Sequence, residues 1–166
     1  MIWLLLSKNL LRIRNIYWRL VYMGYRRRFN LHHNFRFNGP GIEFYGEGKI
    51  VVGSHSYIGS LSTVQASLDN DISIGSHCSI SHNVRLYTQS AQSDSDFRLG
   101  DGTPVRGPIH IGDGVWIGAN VYIGPGRTIE ENAVVGANSV VTRDIPRDEI
   151  WAGTPARKIR SKRRNM

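Results

Sequence analysis

The chain has 166 residues, 40% of them hydrophobic, a single cysteine and a formal net charge of +8. That length suits one domain with a modest core, and one cysteine excludes an internal disulfide framework and fits a reducing compartment. The charge is segregated: residues 1–36 carry eight Lys and Arg and no acid, residues 37–142 carry five bases against ten acids, and residues 143–166 carry eight against three. A nucleic-acid binder needs a basic stripe on its folded body, so this distribution argues against that class.

Residues 1–36 form a basic segment of their own. Within MIWLLLSKNLLRIRNIYWRLVYMGYRRRF, Lys8, Arg12, Asn15, Arg19 and Arg26 recur at helical steps on a background of Leu, Ile, Trp and Tyr, which predicts an amphipathic helix. Its longest apolar run, Ile2 to Leu6, is far too short to span a bilayer. The charges follow that run, whereas a secretory signal carries them before it. The pattern points to an interfacial helix, with bases toward anionic headgroups and Trp3, Tyr17 and Trp18 near the boundary. Packing against the body of the protein or a neighbouring subunit is the alternative. The Gly-rich stretch NGPGIEFYGEG, residues 38–48, reads as the entry into the body.

From residue 37 to 160 the organising signal is a period of six. Val52, Ile58 and Val64 make one run of three. Ile74, Ile80 and Leu86 make a second, offset by an insertion around Leu68 to Asp71, and Ile111, Ile117, Ile123, Ile129, Val135 and Val141 make an unbroken run of six. Neither a helix nor an alternating strand has this period. Each hexad supplies a short strand and a tight corner, three hexads close one coil, and the coils stack at about 4.8 Å with aliphatics inside. Twelve hexads predict about four coils of an all-β solenoid. Cys78 takes a small inward position and reads as core. Between Leu86 and Ile111 the period is lost, and residues 90–108 have the Asp, Ser, Gly and Pro content of a long protruding loop. Residues 161–166 form a basic tail.

The strings GVWIGANVYIGPG at 114–126, NAVVGANSVVTRDIP at 132–146 and WAGTPARKIR at 151–160 resemble the bacterial hexapeptide-repeat acyltransferases. The likeness is strongest to the sugar O-acetyltransferases of galactoside, maltose, nodulation-factor and surface-polysaccharide type. It covers residues 53–160. It implies a left-handed parallel β-helix, against the usual right-handed crossover, and a homotrimer with active sites between subunits. Acetyl-CoA is the implied co-substrate, with no metal. Position by position, the likeness sets Trp116 beside the acetyl and acceptor pocket and Ala119 and Ala137 along the pantetheine. Thr142 and Arg143 follow it outward, and Arg157 and Arg160 meet the CoA phosphates, which suits guanidinium chemistry.

One position departs from that family. Acyl transfer to a sugar hydroxyl needs a proton acceptor, and the relatives carry a His at the start of the long loop; here LYTQSAQSD places Ala91 there. Losing a general base typically costs a factor of about 10² to 10⁴. Four accounts fit: another His serves, the chain works without one, it is an inactive relative, or Ala91 replaces a His by design. Of the other histidines His82 is the strongest candidate, since stacking of Ile80 under Ile117 sets it in the column of Ala119 and Ala137. Asn83 beside it and Asp94 or Asp96 in the loop are candidates to orient a His or the acceptor. A competing constellation, His55, His77 and His82, resembles the Zn ligands of the γ-type carbonic anhydrases, although the hexad places differ.

The expectation is an acyltransferase moving acetyl from acetyl-CoA to a hydroxyl of a bacterial surface polysaccharide or its lipid-linked precursor, in the cytoplasm or on the inner face of the membrane. A non-catalytic trimeric β-helix that serves as a binding module is the second class.

Overall fold

A six-residue step gives each strand one inward aliphatic followed by a corner, and the computed structural model, which describes residues 2–100 and 102–163, has this architecture. The strands stack as the three faces of a parallel β-solenoid. The first face holds Asn30–Leu31, Ile50–Val52, Ile72–Ile74, Ile109–Ile111 and Thr128–Ile129. The second holds Arg36–Asn38, Tyr57–Gly59, Ser79–Ile80, Trp116–Ile117, Val134–Val135 and Glu149–Gly153, and Ala156–Ser161 closes it as an antiparallel edge. Glu43–Gly46, Thr63–Ala66, Arg85–Tyr87, Tyr122–Ile123 and Val140–Val141 make the third.

Register follows the hexads. Ile58 pairs with Ile80, Ile80 with Ile117 and Ile117 with Val135, and all four are wholly buried. Burying one such aliphatic contributes about 1.5–3 kcal/mol, so three columns of them hold together strands of only two to four residues. Cys78 is buried in this core and its Sγ donates to the Gly112 carbonyl at 3.1 Å. Burial pushes its thiol up, which removes the thiolate that reactivity requires.

The coil count corrects the sequence reading. Five turns are present rather than four, because Leu31, Phe37 and Phe44 pair in register with Val52, Ile58 and Val64. Residues 38–48 lie within that first turn, and solenoid strands begin at Asn30, inside the segment grouped with the helix. The period was hidden because this turn has an aromatic core: Phe35 and Phe44 are buried, and Phe37 meets them edge-on at 4.9 and 5.4 Å. A partial sixth turn follows, with Ile145 bridging to Ile129.

The basic segment forms one helix, Ile2–Arg28. Its C-terminal third docks on the aromatic turn. The Tyr22 ring stacks on Phe37 at 4.2 Å, and its hydroxyl donates to the Gly39 carbonyl and accepts from the Ile42 amide. Arg28 donates to the Gly46 carbonyl. Most of the remainder stands exposed, with Trp3 81% accessible and Leu4, Leu5, Leu10 and Ile13 all in solvent. No described helix is long and apolar enough to cross a membrane.

The predicted loop has an ordered base. Gln89–Ala91 pairs antiparallel with Pro104–Arg106, Ala91 opposite Pro104, and Arg106 Nε donates to Gln89 Oε1 at 3.0 Å across the hairpin. Residue 101 of the loop and residues 164–166 of the basic tail lie outside the described residues.

Candidate active site

The corner after the second-face strands carries His82, Asn83, Ala119 and Ala137. The Asn83 amide N–H donates to the Ser60 carbonyl, Asn120 to His82 and Asn138 to Ala119. Ser60, His82, Ala119 and Ala137 therefore stand one above another, as stacking of Ile80 on Ile117 requires. The approach at this column is close. A Cβ on Gly118 would lie 2.5 Å from the Ala137 nitrogen, and one on Gly59 would lie 2.7 Å from His82 Nδ1, so only Gly fits below the column. The outer edge is thus a narrow lane of small side chains interrupted by one imidazole. Trp116, 54% accessible, projects from the second-face strand that leads into it.

The hydrogen bonds of His82 fix its chemistry. The Ser60 amide donates to Nδ1 at 3.1 Å, so a neutral ring carries its proton on Nε2. The exposed nitrogen is a donor. It is suited to stabilise negative charge on an oxygen and lacks the lone pair that a general base offers.

Asn83, the candidate to orient a His or the acceptor, joins an amide ladder with the corners stacked on it. Its Nδ2 donates to Asn120 Oδ1 at 2.8 Å, and Asn120 Nδ2 donates to Asn138 Oδ1 at 3.0 Å. All three have positive φ, 55°, 58° and 58°. Asn tolerates the left-handed region better than other residues with a side chain, and stacked amides use their polar groups on one another. Asn83 is a corner residue with one of its side-chain N–H donors engaged by Asn120.

The alternative Zn constellation is not assembled. His55 and His77 stack at 5.0 Å on the preceding corner, each with positive φ, whereas His82 belongs to the next. Among the described residues no group of three His, Cys, Asp or Glu could hold a metal ion. Asp96 in the loop is committed to Arg98, whose side chain holds its carboxyl below the usual carboxylate range. Ala91 lies at the rim of an open third-face groove of about 580 Å³, with Tyr45, Gln65, Tyr87 and Gln89. Gln65 Oε1 is buried there with no hydrogen-bond partner among the described residues.

Thr142 and Arg143 are exposed where the last third-face strand ends. Arg157 and Arg160 project from the edge strand, and among the described residues each side chain bonds only a carbonyl next to it in sequence, of Ala156 and Ser161. Among the described residues neither has a carboxylate partner within ion-pair distance.

Glu149 holds this hairpin closed, accepting from Lys158 Nζ and, at 2.7 Å, from Trp151 Nε1. Lys158, and then Trp151, hold its carboxyl below the ordinary value. A carboxyl whose folded value is depressed stabilises the fold above its unfolded value, and that contribution is lost as pH falls through the folded one. Amide exchange of residues 149–161 should therefore quicken as pH drops through and below the ordinary carboxylate range, after correction for intrinsic exchange. In Glu149→Gln that acid-induced loss of protection should be absent.

His110 was not singled out by the sequence. It sits outward on the first face with Nδ1 2.8 Å from Ser73 Oγ. The partners are 37 residues apart, so spacing held no signal; only the register of Ile72–Ile74 with Ile109–Ile111 brings them together.

Residues 108–143 match the family described as bacterial transferase hexapeptide (six repeats). A hexapeptide-repeat-containing acetyltransferase of Vibrio cholerae, solved in complex with acetyl-CoA, is 34% identical over 86% of this chain and 76% of that one, with a TM-score of 0.73. This chain belongs to the hexapeptide-repeat acetyltransferases. A maltose O-acetyltransferase of Clostridium difficile is 34% identical over 78% of this chain and 71% of its own, with a TM-score of 0.61. A galactoside acetyltransferase in complex with coenzyme A is 35% identical over 80% of this chain and 64% of its own, at 0.68. Among curated protein sequences none matches.

Proposed function

We propose that this acetyltransferase moves an acetyl group from acetyl-CoA to a hydroxyl of a sugar in a bacterial surface polysaccharide or its lipid-linked precursor. The observation that carries the reading is the lane of Ala119 and Ala137 beside exposed Trp116, leading to His82. The crystallisation of relatives with acetyl-CoA or CoA supports it. The thin pantetheine arm runs along the alanines and past Thr142 and Arg143, and Arg157 and Arg160 pair with the phosphates through charge-assisted bonds. A homotrimer completes each site from two subunits. The reaction belongs to the cytoplasmic side, where the donor is made.

In the reaction the acceptor oxygen bonds to the thioester carbonyl carbon, the C–S bond breaks, and the hydroxyl proton passes to solvent and then to the departing thiolate. His82 Nε2–H donates to the carbonyl oxygen as it gains charge, the contribution of an oxyanion-hole donor. Ala91 leaves the loop without a proton acceptor at the position where relatives have His. For that reason a second reading stands, a trimeric module that binds CoA without turning over.

Thermal shift with acetyl-CoA and with desulfo-CoA, followed by acceptor-dependent thiol release, separates them. Stabilisation by both ligands together with thiol release that requires a sugar is expected. Stabilisation with no release under any acceptor selects the module, and no stabilisation by either ligand removes the CoA reading.

A further inference from the structure

A concave surface outside the lane lies between the helix and the second face of the first turn. It is a groove of about 550 Å³ whose walls include Arg19, Tyr22 and Arg26 from the helix and Arg36, Phe37 and Tyr57 from the coils. Three arginines line it, and among the described residues no acid does. Arg26 is pinned by its bonds to the carbonyls of His32 and Phe35 and lies over the Phe37 ring. Arg36 stacks over Tyr57 with its centre 5.8 Å from the ring. Neither Arg19 nor Arg36 pairs with a carboxylate among the described residues. Two of these cations lie over aromatic rings, and Met23, Phe35 and Phe37 line the groove beside them; planar cations next to apolar surface are a site for an anion that carries an apolar body.

Two further observations choose the occupant. The helix that forms one wall continues into the exposed apolar surface of Trp3, Leu4, Leu5 and Leu10, with Lys8, Arg12 and Arg14 and no acid, which suits the interface of an anionic membrane. The groove also opens on the face of Trp116: Tyr57 pairs with Ser79, and Ser79 with Trp116. Two coil steps separate them, roughly 10 Å at the inter-strand spacing, a span a short glycan covers. We propose that this groove binds the phosphate of a lipid-linked glycan. Arg19 and Arg36 hold the phosphate, the helix lies in the lipid surface, and the glycan extends along the second face toward Trp116. This rests on the acetyltransferase reading above for its last clause alone.

Flotation of the full chain with phosphatidylcholine vesicles tests it, the vesicles carrying either an isoprenoid diphosphate or phosphatidylglycerol at matched surface charge. Tighter binding to the diphosphate vesicles is expected. Arg19→Gln and Arg36→Gln should each weaken that binding about tenfold or more, the scale of a charge-assisted bond, and erase the preference. Arg12→Gln and Arg14→Gln remove the same charge from the projecting helix and should lower binding to both vesicle types without changing the preference. Binding that follows surface charge alone, with all four variants equivalent, overturns the proposal, as does failure to bind either vesicle. Arg19 lies on an exposed part of the helix, so its variant is not expected to unfold the coils. Acetyl-CoA thermal shift, unchanged in Arg19→Gln and Arg36→Gln, separates failure of this site from failure of the CoA reading.

Discussion

Ala91→His is expected to raise acceptor-dependent thiol release by about 10² to 10⁴, the range that a positioned general base contributes. In free energy that is about 3–5 kcal/mol off the barrier. Ala91 is exposed, on a hairpin strand at the rim of the third-face groove, so a larger side chain displaces no core atom. Stability should stay within about 0.5 kcal/mol of the parent, as for most surface changes. The gain should appear in kcat with little change in KM for acetyl-CoA, because the new imidazole touches the acceptor proton and not the donor. The rate should rise with pH as that imidazole loses its proton. A folded, CoA-binding Ala91→His protein with the parent's rate would mean that the missing base is not what limits this chain.

Legibility in the sequence varied with how each feature is built. The coils from Val52 to Val141 were readable because, within each of three runs, one inward position in every six is an aliphatic, and one repeated physical demand leaves one repeated letter. The first turn was not, since Phe35, Phe37 and Phe44 fill the same volume with fewer, larger groups and tolerate uneven spacing. The column of His82, Ala119 and Ala137 followed from register alone, so counting hexads was enough to find it. What counting could not supply was the direction of a single hydrogen bond. Whether His82 accepts or donates depends on the Ser60 amide, 22 residues away. The ladder that occupies Asn83 likewise needs the Asn120 and Asn138 corners stacked in space. His110 and Ser73 escaped notice because each is unremarkable within its own hexad.

The bond from Ser60 makes His82 the site of the second large effect. If Nε2–H stabilises the thioester oxygen, His82→Ala should lower kcat by about 10² to 10³, the cost of losing one oxyanion donor. Affinity for acetyl-CoA should hardly change, because the interaction strengthens only as charge develops. His82→Gln then discriminates between the two roles an imidazole can play. A Gln amide reaches about as far as Nε2 and presents an N–H, so it restores a donor and cannot act as a base near neutral pH. Recovery of at least about tenfold over His82→Ala is expected, read as single-turnover thiol release in the Ala91→His background where the rate is high enough to measure. Equal loss in the Ala and Gln variants would return His82 to the role of proton acceptor, and the Ser60 amide would then have to release Nδ1 for the ring to change tautomer during turnover.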